Sequence, residues 1–128
     1  VDLLLDSNII ILAAGGSLSE DVTALVESEH NRLFFSTAAY WEISIKYASG
    51  RLALPIEPWL LVDALVKNGY REVPIGRKHV YTLSSIADVH KDPFDRIMVA
   101  QAIAEDMLLL TTDALLHGYG QNVRVVRK

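Results

Sequence analysis

Short, unbroken apolar runs alternate along this chain with stretches in which apolar side chains return every three or four positions. Leu3-Leu4-Leu5, Leu33-Phe34-Phe35, Tyr70 to Ile75, Met107 to Thr112 and Val123 to Val126 read as strands; the most apolar of them, continuous rather than alternating, suit a sheet covered on both faces. The stretches between them carry helix signals. Asp6-Ser7-Asn8 can cap a helix directly after the first strand, and Ser17 and Glu20 have capping-box spacing ahead of Val22, Leu25 and Val26, which predicts a helix to about Glu29. Thr37 is placed to cap a helix through Tyr40, Trp41, Ile43, Ile45 and Tyr47, stopped by Gly50. Pro58 stands early in a helix that carries Leu61, Ala64 and Leu65 and ends before Gly69, and a short helix is expected around His79 to Ser84. Asp92-Pro93 then forms an N-cap and first helical position, followed by Ile97, Ala100, Ile103 and Ala104 on one side. A helical turn is expected after Asp113. Strands alternating with helices indicate an α/β fold: one domain over residues 1–128, with a mostly parallel central sheet flanked by helices on both faces.

Composition narrows this without changing it. A chain of 128 residues, 51% of them hydrophobic, is long enough to build one sizeable core. Its longest apolar runs, such as Ile9 to Ala14, fall far short of the roughly 20 residues that span a bilayer. No basic stretch with a cleavage site opens the sequence, and there is no cysteine, so the expectation is a cytoplasmic protein with no membrane partner and no thiolate metal site. The formal net charge of −4 argues against non-specific coating of nucleic acid, but not against an acidic pocket with a basic rim. Phosphate loops, dinucleotide fingerprints and nucleophile elbows are missing from the sequence.

Chemistry is concentrated in a few acids. Asp6 and Asp113 each end a strand, and in parallel sheets ligands bind beyond the carboxyl ends of strands. Both can equally serve as helix N-caps. Glu42 lies among Trp41, Ile43 and Ile45, where an unpaired carboxylate is costly, and either pairs with Lys46 one turn on or has a chemical task. Asp92 and Asp95 fall at N-cap and N3 of one helix; one cap suffices, which leaves Asp95 over and makes Asp92 mainly structural. Two like charges 4 Å apart at an effective dielectric near 20 repel by about 4 kcal/mol, so acids gathered at one sheet edge need protonation or a cation. Magnesium or manganese suits carboxylate oxygens better than zinc does, given no cysteine and no paired histidines. His90 is read as a surface or loop residue.

The segments LLLDSN at 3–8, STAAYWEISIKYASGRLALP at 36–55, HKDPFDRIMVAQA at 90–102 and LLLTTD at 108–113 resemble those of PIN-domain proteins, specifically VapC-like toxins of type II toxin–antitoxin pairs. The resemblance covers essentially the whole chain. It implies an endoribonuclease dependent on Mg²⁺ or Mn²⁺, with Asp6, Glu42, Asp95 and Asp113 as the catalytic and metal-holding acids. Asp6, Glu42 and Asp95 would hold one ion, and Asp113 would help to place a second ion or the attacking water. Ser7, Asn8, Asp92 and Thr112 are implied as supporting residues around them; Ser7 and Asn8 stand where close relatives often have Thr and His. In-line hydrolysis of an RNA phosphodiester would leave a 5′-phosphate and a 3′-hydroxyl. Lys46 and Arg96 are the candidate phosphate contacts, ahead of Arg51, Arg77 and Lys78, with an ion-pair role as the other reading of Arg96. The resemblance further implies a homodimer held in check by a VapB-like antitoxin whose tail enters the acidic groove, with Tyr40, Trp41, Trp59 and Leu60 as surface candidates, although core packing is the commoner fate of such side chains.

Two other readings compete with this one, and the four acids disfavour the first. A PIN-like module could bind RNA or an antitoxin without cutting. A phosphoacceptor receiver domain would need a second acid beside Asp6 and an Asp after the third strand, and the sequence has neither.

Overall fold

The computed structural model describes residues 1–88 and 90–128. Five strands, β1 (Asp2–Leu5), β2 (Arg32–Ser36), β3 (Arg71–Val73), β4 (Leu108–Thr111) and β5 (Val123–Val125), form one sheet in the order β3-β2-β1-β4-β5. Every pairing is parallel, with Leu5 opposite both Phe35 and Leu110. The sheet is thus parallel throughout, where the sequence indicates a mostly parallel one. The connecting helices are α1 (Ser7–Ala14), α2 (Glu20–Glu27), α3 (Thr37–Ala48), α4 (Pro58–Lys67), α5 (Arg77–Leu83) and α6 (Pro93–Ala104), with a 3-10 helix over Ala114–Tyr119.

The topology fixes where chemistry can sit. From β1 the chain steps outward through β2 to β3, then crosses back over the sheet to β4 on the other side of β1. Right-handed crossovers place these outgoing and returning connections on opposite faces. The reversal lies between β1 and β4, and the carboxyl ends of those two strands form the crevice of the fold. Leu3, Leu4, Leu5, Phe35, Leu109 and Leu110 are almost wholly buried, so these short strands are the centre of the core.

Several boundaries differ from those the sequence suggests, each for a local reason. Ser19 rather than Ser17 caps α2, its side chain accepting from the Val22 N–H. Ser17 is used at the end of α1, where its N–H donates to the Leu12 carbonyl at 2.8 Å beyond Gly16 at φ 70°. Ser36, not Thr37, caps α3; Thr37 is its first helical residue, and its hydroxyl donates to Glu72. β3 stops at Val73 because Pro74 has no N–H to continue the ladder. In α6 the buried face is wider than a single stripe: Ile97, Met98, Val99, Ala100, Gln101 and Ala102 are all buried, whereas Ile103 is exposed. That helix packs between β4, α3 and α5, so its middle has no solvent side.

Candidate metal centre

Asp6 leaves β1 at its carboxyl end. Its N–H donates to the Leu110 carbonyl at 3.0 Å, which carries the β1–β4 register one residue past the strand. The Asp6 carboxylate is 2% exposed and has both oxygens engaged: Oδ1 accepts from the Ser7 N–H at 2.7 Å and Oδ2 from the Thr111 hydroxyl at 2.6 Å. It is therefore at once the cap of α1 and a fixed, buried acid. Thr111 also accepts the Asp113 N–H at 3.0 Å, so one hydroxyl links the ends of the two central strands. The threonine hydroxyl on Asp6 is that of Thr111, the last residue of β4; Thr112, the residue expected beside the site, follows it outside the strand.

Glu42 reaches the same place from α3. It is 5% exposed; Oε1 accepts from the Ser7 hydroxyl at 2.6 Å and Oε2 from Lys46 Nζ at 2.7 Å. The pairing with Lys46 and a position among the acids are therefore both realised. The bond to Glu42 is the main reason the Lys46 ammonium is held above its ordinary pKa. Asn8, by contrast, faces solvent.

Asp95 comes from the first turn of α6. Asp92 caps that helix, its Oδ1 accepting from the Phe94 N–H at 2.9 Å and from the Asp95 N–H at 3.5 Å. One ligand atom each from Asp6, Glu42 and Asp95 lies within 4.8 Å of the others. Asp95 has the weakest support of the three. Its nearest side-chain donor among the described residues is His90 Nε2, 3.5 Å from Oδ2. Burial, followed by the charges of Asp6, Asp92 and Glu42, pushes its pKa up to about 7. Burial likewise raises Asp6 to about 6, against the opposing pull of the Thr111 and Ser7 hydrogen bonds.

Asp113 begins the 3-10 helix, its Oδ1 accepting from the Leu115 N–H at 3.0 Å. Its Oδ2 lies 2.9 Å from His90 Nε2, and His90, Asp95 and Asp113 make a second set of ligand atoms within 4.8 Å that shares Asp95 with the first. His90 is thus part of the cluster rather than a plain loop residue. Its spacing two positions before the helix cap Asp92 is the one sign of this in the sequence.

The cations divide. Lys46 stays at the site, partly exposed. Arg96 is engaged by exposed Asp88 at 2.8 Å, the ion-pair role that its place in the sequence also allows. The aromatic candidates also divide: Trp41 is 58% exposed and meets Phe94 edge to face with ring centroids 5.0 Å apart, Trp59 and Leu60 are exposed, and Tyr40 is half-buried. Trp41 and Phe94 immediately precede Glu42 and Asp95.

The donor set fits a hard divalent cation. Three carboxylates confined to 4.8 Å, two of them pushed toward neutrality by burial and mutual repulsion, offer oxygen ligands to an ion that would relieve that cost.

Comparison with known proteins bears on the fold that carries this site. The chain resembles, with 14% identity and a TM-score of 0.74, a chain of the VapBC2 crystal structure from Rickettsia felis bound to a DNA fragment from their promoter, covering 99% of this chain and 98% of that one. A toxin–antitoxin complex from Klebsiella pneumoniae (17% identity, TM-score 0.66, 96% of each chain) and DNA-bound VapBC from Salmonella typhimurium (11%, 0.70, 99% and 98%) share the fold. No curated protein is matched in sequence. The PIN domain family model matches residues 3–120, and the chain belongs to that family.

Proposed function

We propose that this chain is the toxin of a type II toxin–antitoxin pair and that it acts as a Mg²⁺- or Mn²⁺-dependent endoribonuclease. The observation that carries the reading is the meeting of Asp6, Glu42 and Asp95 within 4.8 Å at the carboxyl edge of a PIN-domain sheet. The likeness to chains of VapBC complexes supports the toxin assignment and a VapB-like antitoxin as partner. The same relationship favours a homodimer working in the cytoplasm; no helix among the described residues is long and apolar enough to cross a membrane.

Asp6, Glu42 and Asp95 would hold the ion. When bound, it supplies Lewis-acid stabilisation of the charge that builds on the scissile phosphate. The remaining duties fall to the chain. Ser7 and Thr111 fix Glu42 and Asp6 through bonds of 2.6 Å each, so the ligands do not have to be ordered on binding. Asp113, held at both oxygens, orients the water that attacks phosphorus as the bond to the 3′-oxygen breaks, leaving a 5′-phosphate and a 3′-hydroxyl. Lys46 offsets part of the negative charge that would otherwise repel RNA and is exposed enough to meet a phosphate.

The deciding experiment incubates purified chain with a mixed RNA pool and Mn²⁺, beside Asp6→Asn and Asp95→Asn. Cleavage by the wild type alone is expected. Equal cleavage by all three would remove the activity from this site.

A further inference from the structure

The set formed by His90, Asp95 and Asp113 has the spacing of a second cation site, and its ligand atoms share Asp95 with the first. The hydrogen bonding of the imidazole argues against that use. His90 Nδ1 accepts the backbone N–H of Asp92 at 3.0 Å. A backbone amide only donates, so Nδ1 has to present its lone pair, and in the neutral ring the proton then sits on Nε2. Nε2 is the atom facing Asp113 Oδ2 at 2.9 Å and Asp95 Oδ2 at 3.5 Å. A nitrogen that carries a proton toward two carboxylates has no lone pair for a metal. The ring has little freedom to reverse this. The backbone N–H of His90 donates to the Tyr119 hydroxyl at 3.0 Å, and Asp92, whose amide fixes Nδ1, is itself fixed as the cap of α6.

We propose that His90 is a positioning residue: its Nε2–H holds the Asp113 carboxylate toward the site and fills the place of a second cation, so that this chain binds a single ion on Asp6, Glu42 and Asp95. The proposal rests on the acidic cluster being a cation site, and does not depend on which nucleic acid is cut. Asp113 is gripped from both sides, by Leu115 N–H on Oδ1 and His90 on Oδ2, which fixes the direction of its carboxylate.

Two measurements on the full chain test it. In ¹⁵N-histidine-labelled, metal-free protein, imidazole nitrogen–proton correlation spectra taken where His90 is neutral should show the proton on Nε2 and a bare Nδ1; the reverse tautomer overturns the proposal. Saturation binding of Mn²⁺, followed by the electron paramagnetic resonance of the free ion, should give one ion for wild type, one for His90→Gln, whose amide nitrogen can still donate to Asp113, and two for His90→Ala. Two ions on the wild type, with nitrogen hyperfine coupling that disappears in His90→Gln, would make His90 a ligand and overturn the proposal; one ion on all three forms would overturn its exclusion of a second cation. No Mn²⁺ bound by any form would instead overturn the metal-centre reading, a failure the tautomer measurement distinguishes.

Discussion

The two ends of α6 carry the same device and opposite electrostatics. At its start, His90 Nδ1 accepts the Asp92 N–H and Nε2 faces Asp95 and Asp113. Past its last turn, His79 Nδ1 accepts the Gly76 N–H at 2.9 Å and Nε2 faces Glu105, the C-cap residue of the helix, at 2.9 Å. The helix dipole favours an acid at the first end and opposes one at the second. Yet Asp95 is pushed up to about 7, whereas Glu105 is held below its usual range, chiefly by its bond to Lys78 and then by His79. Burial of Asp95 and then partner count decide the matter. The dipole is worth about 0.3–1 kcal/mol, while a neighbouring like charge at 4 Å costs about 4 kcal/mol at an effective dielectric near 20. Glu105 is one acid between two basic groups, whereas Asp95 is a buried acid among four others, Asp6, Glu42, Asp92 and Asp113. The C-terminal knot is a finished ion pair; the N-terminal cluster is short of positive charge, which is what a cation would supply.

The strongest way to break this contrast is to neutralise its charge-starved side. Asp95→Asn should lower RNA cleavage in Mn²⁺ by roughly 10²–10³-fold, the size seen when one charge-stabilising group is taken from a preorganised site. Glu105→Gln should leave cleavage within a factor of about two, because Glu105 lies at the opposite end of α6. Initial rates on a single labelled RNA measure both, and a matching loss in the two variants would show that the ends are not functionally distinct.

Stability should respond with opposite signs and with pH. In the folded chain Asp6 and Asp95 titrate near 6 and 7, against an ordinary value of 3.8 for each. Their contribution to metal-free stability is therefore complete below about pH 4 and is lost as pH rises through 6 and 7. Metal-free wild type should accordingly melt lower at pH 7.5 than at pH 5, by several degrees, and Asp95→Asn should melt higher than wild type at pH 7.5 and show a smaller fall. Glu105 has a lowered pKa, so its contribution is present above its ordinary value of 4.5 and disappears only in stronger acid. Glu105→Gln should then melt lower than wild type at both pH values. Saturating Mn²⁺ at 100 times its dissociation constant should raise the wild-type stability by about 2.7 kcal/mol at pH 7.5 and by less at pH 5, where protons compete for the same oxygens. Calorimetry in chelated buffer and then with added Mn²⁺ follows all of these shifts.

The histidine at the quiet end gives a third, smaller effect. His79 is 3% exposed, and His79→Ala would leave the Gly76 amide without a partner and Glu105 with Lys78 alone, costing about 1–3 kcal/mol of stability. His79 plays the part that Glu or Gln takes at the third position of a capping box, so His79→Gln should recover much of the loss. Denaturant unfolding measures the difference, and cleavage per folded molecule should be unchanged in both variants.

How much of this is legible in the sequence depends on whether a feature is local. Leu3 to Leu5 and Leu108 to Leu110 stand out as buried strands because nothing polar interrupts them, and the acids at their ends follow from parallel-sheet geometry. The cap at Asp92 is equally local. Thr111 is different, because choosing between adjacent threonines needs the strand register, which pairs Leu110 with Leu5 and so brings Thr111 beside Asp6. His90 is harder still: its wiring joins an amide two residues away to a carboxylate 23 residues away. Periodicity draws Ile103 inward, but α6 is covered on so much of its circumference that its exposed positions fall only near its ends.

Arg96 offers the smallest effect and the sharpest test of what adjacency in sequence means. It follows Asp95 directly and is the natural candidate for a phosphate contact, but its guanidinium is engaged by Asp88, whose side chain is 79% exposed. A pair of this kind is worth about 0–1 kcal/mol, because water screens the partners and both side chains lose freedom on pairing. Arg96→Ala should therefore shift the midpoint of unfolding by no more than a few degrees. It should also leave the salt dependence of RNA binding unchanged, since only a cation that neutralises a phosphate adds to the slope of log K against log salt, by about 0.7 on a single strand. Lys46→Ala should lower that slope if its exposed ammonium meets the RNA. Measuring both slopes on an RNA bound in chelator separates a cation that serves the substrate from one that merely sits next to the acid that does.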